Sequence, residues 1–275
     1  MQGKPLPPIL MVGCGNMGYA LLAGWLKSGT AEVVVVKPSG APDGRIGPGV
    51  TFCPDISSVP KGFSPSVIVF AIKPQQAASV VPDYARFAAT GAVILSIMAG
   101  KTTADIEAHI GGEARVVRAM PNTPAIVGLG FTGAFAGSYV LPEQRELCDT
   151  LLSAVGEVAW VEDEGLIDPV TAVSGSGPAY VFLLVELLET AAIKQGVPPD
   201  LACRMARRTV EGSGALLGRT AIDAAQLRRN VTSPRGTTER ALEILMAEDA
   251  WPKLVSKAIS AATARSRELS GRQSE

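Results

Sequence analysis

The stretch Gly13-Cys14-Gly15-Asn16-Met17-Gly18 constrains this chain more than any other. It follows the apolar run Pro8-Ile9-Leu10-Met11-Val12, which reads as a strand, and it opens a helical pattern over Asn16–Ser28 that Gly29 ends. Each glycine has a separate physical task. The first permits a tight turn, the second lets backbone approach a pyrophosphate, and the third allows a helix to pack closely on a strand. A strand, this turn and a helix in that order imply a dinucleotide-binding βαβ unit.

The next 130 residues continue the alternation. Strands are expected at Glu32–Val36, Ser66–Ile72, Ala92–Ser96, Ala114–Arg118, Gly130–Ala136 and Glu157–Val161. Helical patterns separate them at Pro74–Phe87, Thr102–Ile110 and Pro142–Val155. Strands that are apolar almost throughout, alternating with helices, imply a parallel sheet covered on both faces. After residue 163 the strand signal disappears. Helical patterns follow at Leu166–Val173, Pro178–Lys194, Pro199–Leu217, Ala221–Arg229, Thr237–Ala247 and Trp251–Leu269. The expected fold class is therefore α/β: a Rossmann-type doubly wound sheet over residues 1–163, then an all-α domain over 164–275. The segment Pro178–Leu188 is apolar on nearly every face, so it should be buried all round, inside its own domain or against another subunit. The second option points to dimerisation.

Composition excludes several classes of function. With 25 basic and 26 acidic residues the chain has no basic excess for nucleic acid. Its apolar runs fall short of the ~20 residues that span a bilayer, and Met1–Pro5 carries no hydrophobic signal core. Four scattered cysteines form no CxxC pair and no metal-ligand spacing, so no metal is expected and a cytoplasmic location fits. His109 is the sole histidine, in a helical pattern without a serine-nucleophile motif, and reads as a surface or capping residue.

Cofactor choice is written at the end of the second strand. An NAD site usually places Asp or Glu there to hold the ribose 2′-hydroxyl. This chain reads Val36-Lys37-Pro38-Ser39-Gly40. Lys37 and Ser39 would attract a 2′-phosphate, which favours NADP(H), with NAD(H) as the alternative. Ligands in doubly wound sheets bind outside the carboxyl ends of the strands. That rule puts Ala71, Ile72, Lys73 and Pro74 on the cofactor rim, with Ile97, Met98 and Ala99 after the next strand. Met120, Pro121 and Asn122 follow on the same rim, in a loop stiffened by Pro121 and Pro124.

Two hydroxyl- and glycine-rich segments precede helical patterns in the second half: Ser174-Gly175-Ser176-Gly177-Pro178-Ala179-Tyr180 and Val231-Thr232-Ser233-Pro234-Arg235-Gly236-Thr237-Thr238. Helix starts of this kind offer unbonded N–H groups and a partial positive charge to a small anion. A dinucleotide half joined to an anion-gripping half suggests an oxidoreductase acting on a small acid.

These segments, with the glycine fingerprint, Ala71-Ile72-Lys73-Pro74 and Met120-Pro121-Asn122-Thr123-Pro124, resemble those of the pyrroline-5-carboxylate reductases over nearly the whole chain. The resemblance implies NAD(P)H-dependent reduction of Δ1-pyrroline-5-carboxylate to L-proline, the last step of proline biosynthesis. It implies that Ser233, Gly236 and Thr237 grip the substrate carboxylate, and that Thr238, the catalytic candidate, hydrogen-bonds the ring nitrogen. Glu164 would favour the cationic imine, Ser174 and Gly175 would shape the pocket, and Asn230 would reach the cofactor. It further implies interlocked homodimers or rings of dimers, each active site forming between two chains. One departure stands out. The family has two glycines after the loop proline, where this chain has Arg235-Gly236. If that position takes positive φ, arginine there is strained.

Two rivals are weighed. A β-hydroxyacid-type dehydrogenase would need a lysine acid–base in the helical half, where Lys194 lies away from the glycine loops. A non-catalytic NADP(H)-binding sensor would keep the cofactor site with its substrate pocket blocked.

Overall fold

The computed structural model describes residues 6–29, 32–40 and 49–271, so Met1–Pro5 lies outside the described residues. The chain forms two compact units, Met1–Gly175 with Ala262–Glu275, and Ser176–Ala261.

The first unit is built on one eight-stranded sheet in the order β3-β2-β1-β4-β5-β6-β7-β8. The strands are β1 (Ile9–Val12), β2 (Val33–Val36), β3 (Val50–Cys53), β4 (Val67–Phe70), β5 (Val93–Ser96), β6 (Val116–Pro121), β7 (Gly130–Ala136) and β8 (Gly156–Trp160). The first six make a parallel sheet in the Rossmann order. The all-parallel sheet expected from the strand pattern needs one correction: β7 runs antiparallel to β6, with Met120 opposite Gly133. The link between them is too short for a crossover helix, and only antiparallel neighbours can be joined so closely. Strand β3 is a further addition to the expected set.

Strand alternation sorts the core onto two faces. Met11, Val35, Val69, Leu95 and Val117 point to one side, and Leu10, Val34, Ile68, Ile94 and Val116 to the other. Helix α1 (Asn16–Ser28) covers the first face with Leu21, Leu22 and Trp25, all fully buried. Each such side chain contributes about 1.5–3 kcal/mol by burial. The Trp25 indole N–H donates to the Leu151 carbonyl at 2.8 Å, in the second helix on this face. The helix expected over Pro74–Phe87 is instead a chain of short turns, including α2 (Ala77–Val80) and α3 (Ala85–Ala89). Pro82 lacks the N–H that would continue the helix, so the chain tightens to a 3₁₀ turn over Val81–Tyr84. Helix α4 (Thr103–Ile110) covers the second face, and α5 (Pro142–Ser153) joins α1 on the first.

After β8 the chain makes a 3₁₀ turn, α6 (Ile167–Val170) and one π turn over Thr171–Gly175. The helices α7 (Gly177–Lys194), α8 (Pro199–Arg219), α9 (Ala224–Asn230) and α10 (Thr237–Leu245) form the second unit with the start of α11 (Trp251–Leu269). Of the two placements expected for the apolar helix, burial inside its own domain does not occur. No residue of α7 is buried, and Phe182 is 66% exposed. The helical run Glu164–Lys194 has a mean hydropathy of 1.4 in its most apolar stretch and is 6% buried there. By length and composition alone it matches a membrane-crossing helix, where the sequence suggested that no stretch was long enough.

Candidate active site

The glycine turn is shaped as the fingerprint requires. Gly13 has φ +80°, and a Cβ there would sit 2.7 Å from Ile72 Cγ2 and 2.8 Å from the Ala71 carbonyl oxygen. A side chain on Gly18 would meet the Ala71 Cβ at 3.1 Å. Around Gly15, by contrast, nothing lies within 4 Å of such a Cβ. Two glycines therefore admit neighbouring protein, while the middle one opens onto unfilled space. Gly15 caps α1 without a side-chain hydrogen bond, and the first turn carries no acid. Its N–H groups and positive end are left for an anion. A cavity of about 240 Å³ lies here, lined by Cys14, Gly15, Asn16, Tyr19 and Ile126. These residues fit a pyrophosphate. Burial pushes the Cys14 thiol up, with the Lys37 charge pulling the other way, so Cys14 stays neutral beside the glycine backbone.

The other rim residues fall at strand ends as the topology requires. Met17 packs on the core from α1. Lys37 follows β2 and donates to the Gly40 carbonyl at 3.1 Å, and Ser39 is exposed. Ala71, Ile72, Lys73 and Pro74 follow β4, and Lys73 is exposed. Ile97, Met98 and Ala99 follow β5; Met98 is buried, and its N–H approaches the Ser96 hydroxyl at 3.4 Å.

Met120 and Pro121 end β6 and Asn122 follows it. One face of this strand holds the segment after β8. Arg118 Nη1 lies 3.2 Å from Glu164 Oε1, and Arg118 Nη2 lies 3.6 Å from Asp168 Oδ1. Two residues on, Met120 Cε would be 3.0 Å from a Cβ on Gly175. Two further, Asn122 Nδ2 donates to Ser174 Oγ at 3.0 Å. The structure thus brings together Met120 and Asn122, expected at the cofactor, with Ser174 and Gly175, expected at the substrate.

Taken alone Glu164 reads as a solvated acid, and the resemblance implies a place beside the cationic imine. In the structure Oε1 accepts from the Thr103 N–H at 2.9 Å and Oε2 from the Thr103 hydroxyl at 3.1 Å. The carboxylate caps α4 and neutralises the buried Arg118. The network continues through Asp168, which accepts from the Ser266 hydroxyl at 2.8 Å. Arg118, Asp168 and Ser266 were not marked by the sequence, because no local pattern links residues so far apart. Only the charge of Arg118 inside an apolar strand hinted at a partner.

In the second unit, Gly236 caps α10 without a side-chain hydrogen bond, so no capping side chain takes the first N–H groups of that helix. A Cβ on Gly236 would lie 2.5 Å from Ser233 Oγ, which fixes glycine there. Arg235 has φ +59°, the one positive-φ non-glycine among the described residues. Its N–H donates to Glu239 Oε2 at 2.7 Å. Asn230 ends α9 and accepts from Gln226 at 2.7 Å.

A family model described as pyrroline-5-carboxylate reductase dimerisation matches residues 164–269, and one described as NADP oxidoreductase, coenzyme F420-dependent, matches residues 8–100. The pyrroline-5-carboxylate reductase of Pseudomonas aeruginosa is 37% identical over 96% of this chain and 97% of its own. This chain belongs to the pyrroline-5-carboxylate reductase family. The reductase of Coxiella burnetii superposes with a TM-score of 0.86 at 34% identity, covering 96% of this chain and 98% of that one. The Plasmodium falciparum reductase, solved with NADP bound, gives 0.79 at 25% identity, covering 98% and 100%.

Proposed function

We propose that this chain reduces 1-pyrroline-5-carboxylate to L-proline with NADP(H), the last step of proline biosynthesis, and that NAD(H) serves less well. The observation that carries this reading is family membership along the whole chain, with the glycine turn and the glycine-capped start of α10 beside it. Bound at the strand ends, a reduced nicotinamide cofactor supplies a hydride. Gly13, Gly15 and Gly18, with Cys14, Asn16 and Met17, shape the pyrophosphate site. Lys37 and Ser39 meet the 2′-phosphate. Ala71–Pro74, Ile97–Ala99, Met120–Asn122 and Asn230 complete the cofactor set.

The substrate is a cyclic imine with a carboxylate. Ser233, Gly236 and Thr237 bind the carboxylate at the start of α10, and Thr238 orients the ring nitrogen with its hydroxyl. A protonated imine has an electrophilic ring carbon. Hydride addition at that carbon then completes the amine, and no strong protein acid is needed. The chain's contribution is alignment of the reacting atoms and exclusion of unproductive poses. Glu164 acts at one remove, holding α4 and Arg118.

We place the functional boundary at residue 163, with 1–163 binding cofactor and 164–275 serving substrate and dimerisation. The exposed apolar surface of α7, with an adjoining groove of about 420 Å³ that includes Leu183, Leu187 and Leu254, supports a homodimer or a ring of dimers over a membrane location. A cytoplasmic enzyme without nucleic-acid or metal partners fits this chemistry.

The test is a steady-state assay. NADPH oxidation on adding pyrroline-5-carboxylate, with proline as product and no turnover of hydroxy acids, supports the reading. Cofactor binding without proline formation favours a sensor instead.

A further inference from the structure

The turn after β2 closes on itself twice. The Gly40 N–H donates to the Lys37 carbonyl at 2.9 Å, and the Lys37 ammonium donates back to the Gly40 carbonyl at 3.1 Å. Pro38 holds the second position of this four-residue turn, where its fixed φ already suits a β-turn. Gly40 closes the turn at φ +71°. A Cβ there would meet no atom within 4 Å, so glycine serves the backbone angle rather than space. The neighbouring strands tie the turn down. The Lys37 N–H donates to the Cys53 carbonyl at 2.9 Å, and the Gly13 N–H donates to the Val36 carbonyl at 2.9 Å. The second of these bonds puts the turn beside the glycine loop, and the Lys37 charge acts on the Cys14 thiol there. In a Rossmann unit the end of the second strand meets the 2′ position of the adenosine ribose.

We propose that Gly40 is a positioning residue for cofactor choice: its positive-φ backbone turns a carbonyl onto the Lys37 ammonium and holds that charge ready for the 2′-phosphate of NADP(H). This rests on the reading that Lys37 meets that phosphate. A lysine stem is long and rotates freely, so fixing it on binding costs conformational entropy. The Gly40 carbonyl orders the stem before the cofactor arrives. It takes one ammonium N–H and leaves the others for phosphate oxygens. A residue with a side chain resists φ +71°. As it relaxes toward negative φ, the carbonyl swings away and the ammonium is released.

The test titrates the full chain with NADPH and with NADH, read by the fluorescence of the reduced nicotinamide. The two differ only in the 2′-phosphate, so a general loosening of the site moves both, and loss of the ammonium moves one. Lys37→Met raises Kd for NADPH about tenfold or more, the scale of one hydrogen bond to a charged group, with NADH within about twofold. Unchanged NADPH binding in that variant removes the 2′-phosphate reading, and the proposal with it. Gly40→Ala raises Kd for NADPH about threefold or more, with NADH again within about twofold. In a Lys37→Met background, Gly40→Ala moves Kd for NADPH by less than about twofold, because its effect is routed through the missing ammonium. Gly62 also has positive φ, +90°, with nothing within 4 Å of a Cβ, and Gly62→Ala leaves both affinities in place. Where Lys37→Met weakens NADPH as expected, unchanged or tighter NADPH binding by Gly40→Ala overturns the proposal alone. So does an equal loss for both cofactors, an equal Gly40→Ala effect with and without the ammonium, or a matching loss in Gly62→Ala.

Discussion

The guanidinium of Arg118 and the carboxylate of Glu164 meet at 3.2 Å, with the arginine side chain 3% and the glutamate 17% exposed. Asp168, 1% exposed, lies on the other arm of the same guanidinium. This cluster ties the strand that ends at the cofactor rim to the segment that begins the helical half. Removing the arginine takes from Glu164 the cation it faces, and breaking a buried pair this way typically costs about 3–5 kcal/mol. Arg118→Ala should lower stability by that order in a denaturant titration. A loss under about 1 kcal/mol would show that the cluster is not holding the segment.

Glu107 tests the same region through pH. Its pKa is raised, first by burial and then by the charge of Glu164. An acid with a raised folded pKa is most favourable to folding below its unfolded value of about 4.3. That contribution is lost as pH rises through the folded value. Glu107→Gln should therefore stabilise the protein at pH 7, with the advantage over wild type vanishing as pH falls below the unfolded value. Chemical denaturation at several pH values reads this out; an advantage that grows toward acid pH would contradict it.

The glycines of the first turn should separate by role. Gly13→Ala forces a side chain into positive φ and against Ile72 and Ala71, so it should destabilise by about 1–3 kcal/mol. Gly15→Ala meets no protein atom, so stability should stay within about 0.5 kcal/mol. NADPH affinity should nevertheless fall about tenfold, because the methyl occupies the space left for pyrophosphate. Thermal unfolding together with cofactor titration distinguishes the two; undiminished NADPH binding by Gly15→Ala would displace the cofactor from this turn.

Arg235 adopts φ +59°, a conformation costing about 1–2 kcal/mol for a residue with a side chain. Glycine removes that strain but returns roughly 0.5–1 kcal/mol in unfolded-state entropy. Arg235→Gly should leave the protein equally stable or up to about 1 kcal/mol more stable, with kcat/KM equal or higher. Abolished activity would mean that the guanidinium itself pairs with the substrate carboxylate.

Cofactor choice and substrate alignment are separable too. Lys37→Asp should shift preference toward NADH by adding the acid that a ribose hydroxyl uses. Thr238→Ala should lower kcat much more than NADPH affinity. An unchanged NADPH/NADH ratio in the first variant, or full turnover in the second, would remove the role assigned to that residue.

The strand–glycine–helix start was legible because its signal is local: an apolar run, three glycines and a helical period. So were β4 and β5, which are apolar on both faces. Strand β3 was not, because Val50-Thr51-Phe52-Cys53 is short and only partly buried at the sheet edge. The direction of β7 follows from the length of the link before it, not from its own residues. The exposure of α7 was also beyond the sequence, since an apolar helix reads alike whether its own domain or another chain covers it. In the site, the start of α10 showed through residue type, whereas Ser174–Gly177, expected to open a helix, lies inside the continuous helical run Glu164–Lys194. The contacts of Arg118 with Glu164 and of Asn122 with Ser174 did not show, because pairing across 46 and 52 residues leaves no periodic trace.

The most direct measurement follows the hydrogen itself. NADPH carrying deuterium at the transferable C4 position is oxidised with pyrroline-5-carboxylate, and the proline formed is analysed by mass and NMR. The expected result is one deuterium bonded to the ring carbon that was double-bonded to nitrogen, with none arriving there from heavy water. Proline free of that label, or oxidation of NADPH without proline, would contradict direct reduction of the C=N bond by this chain.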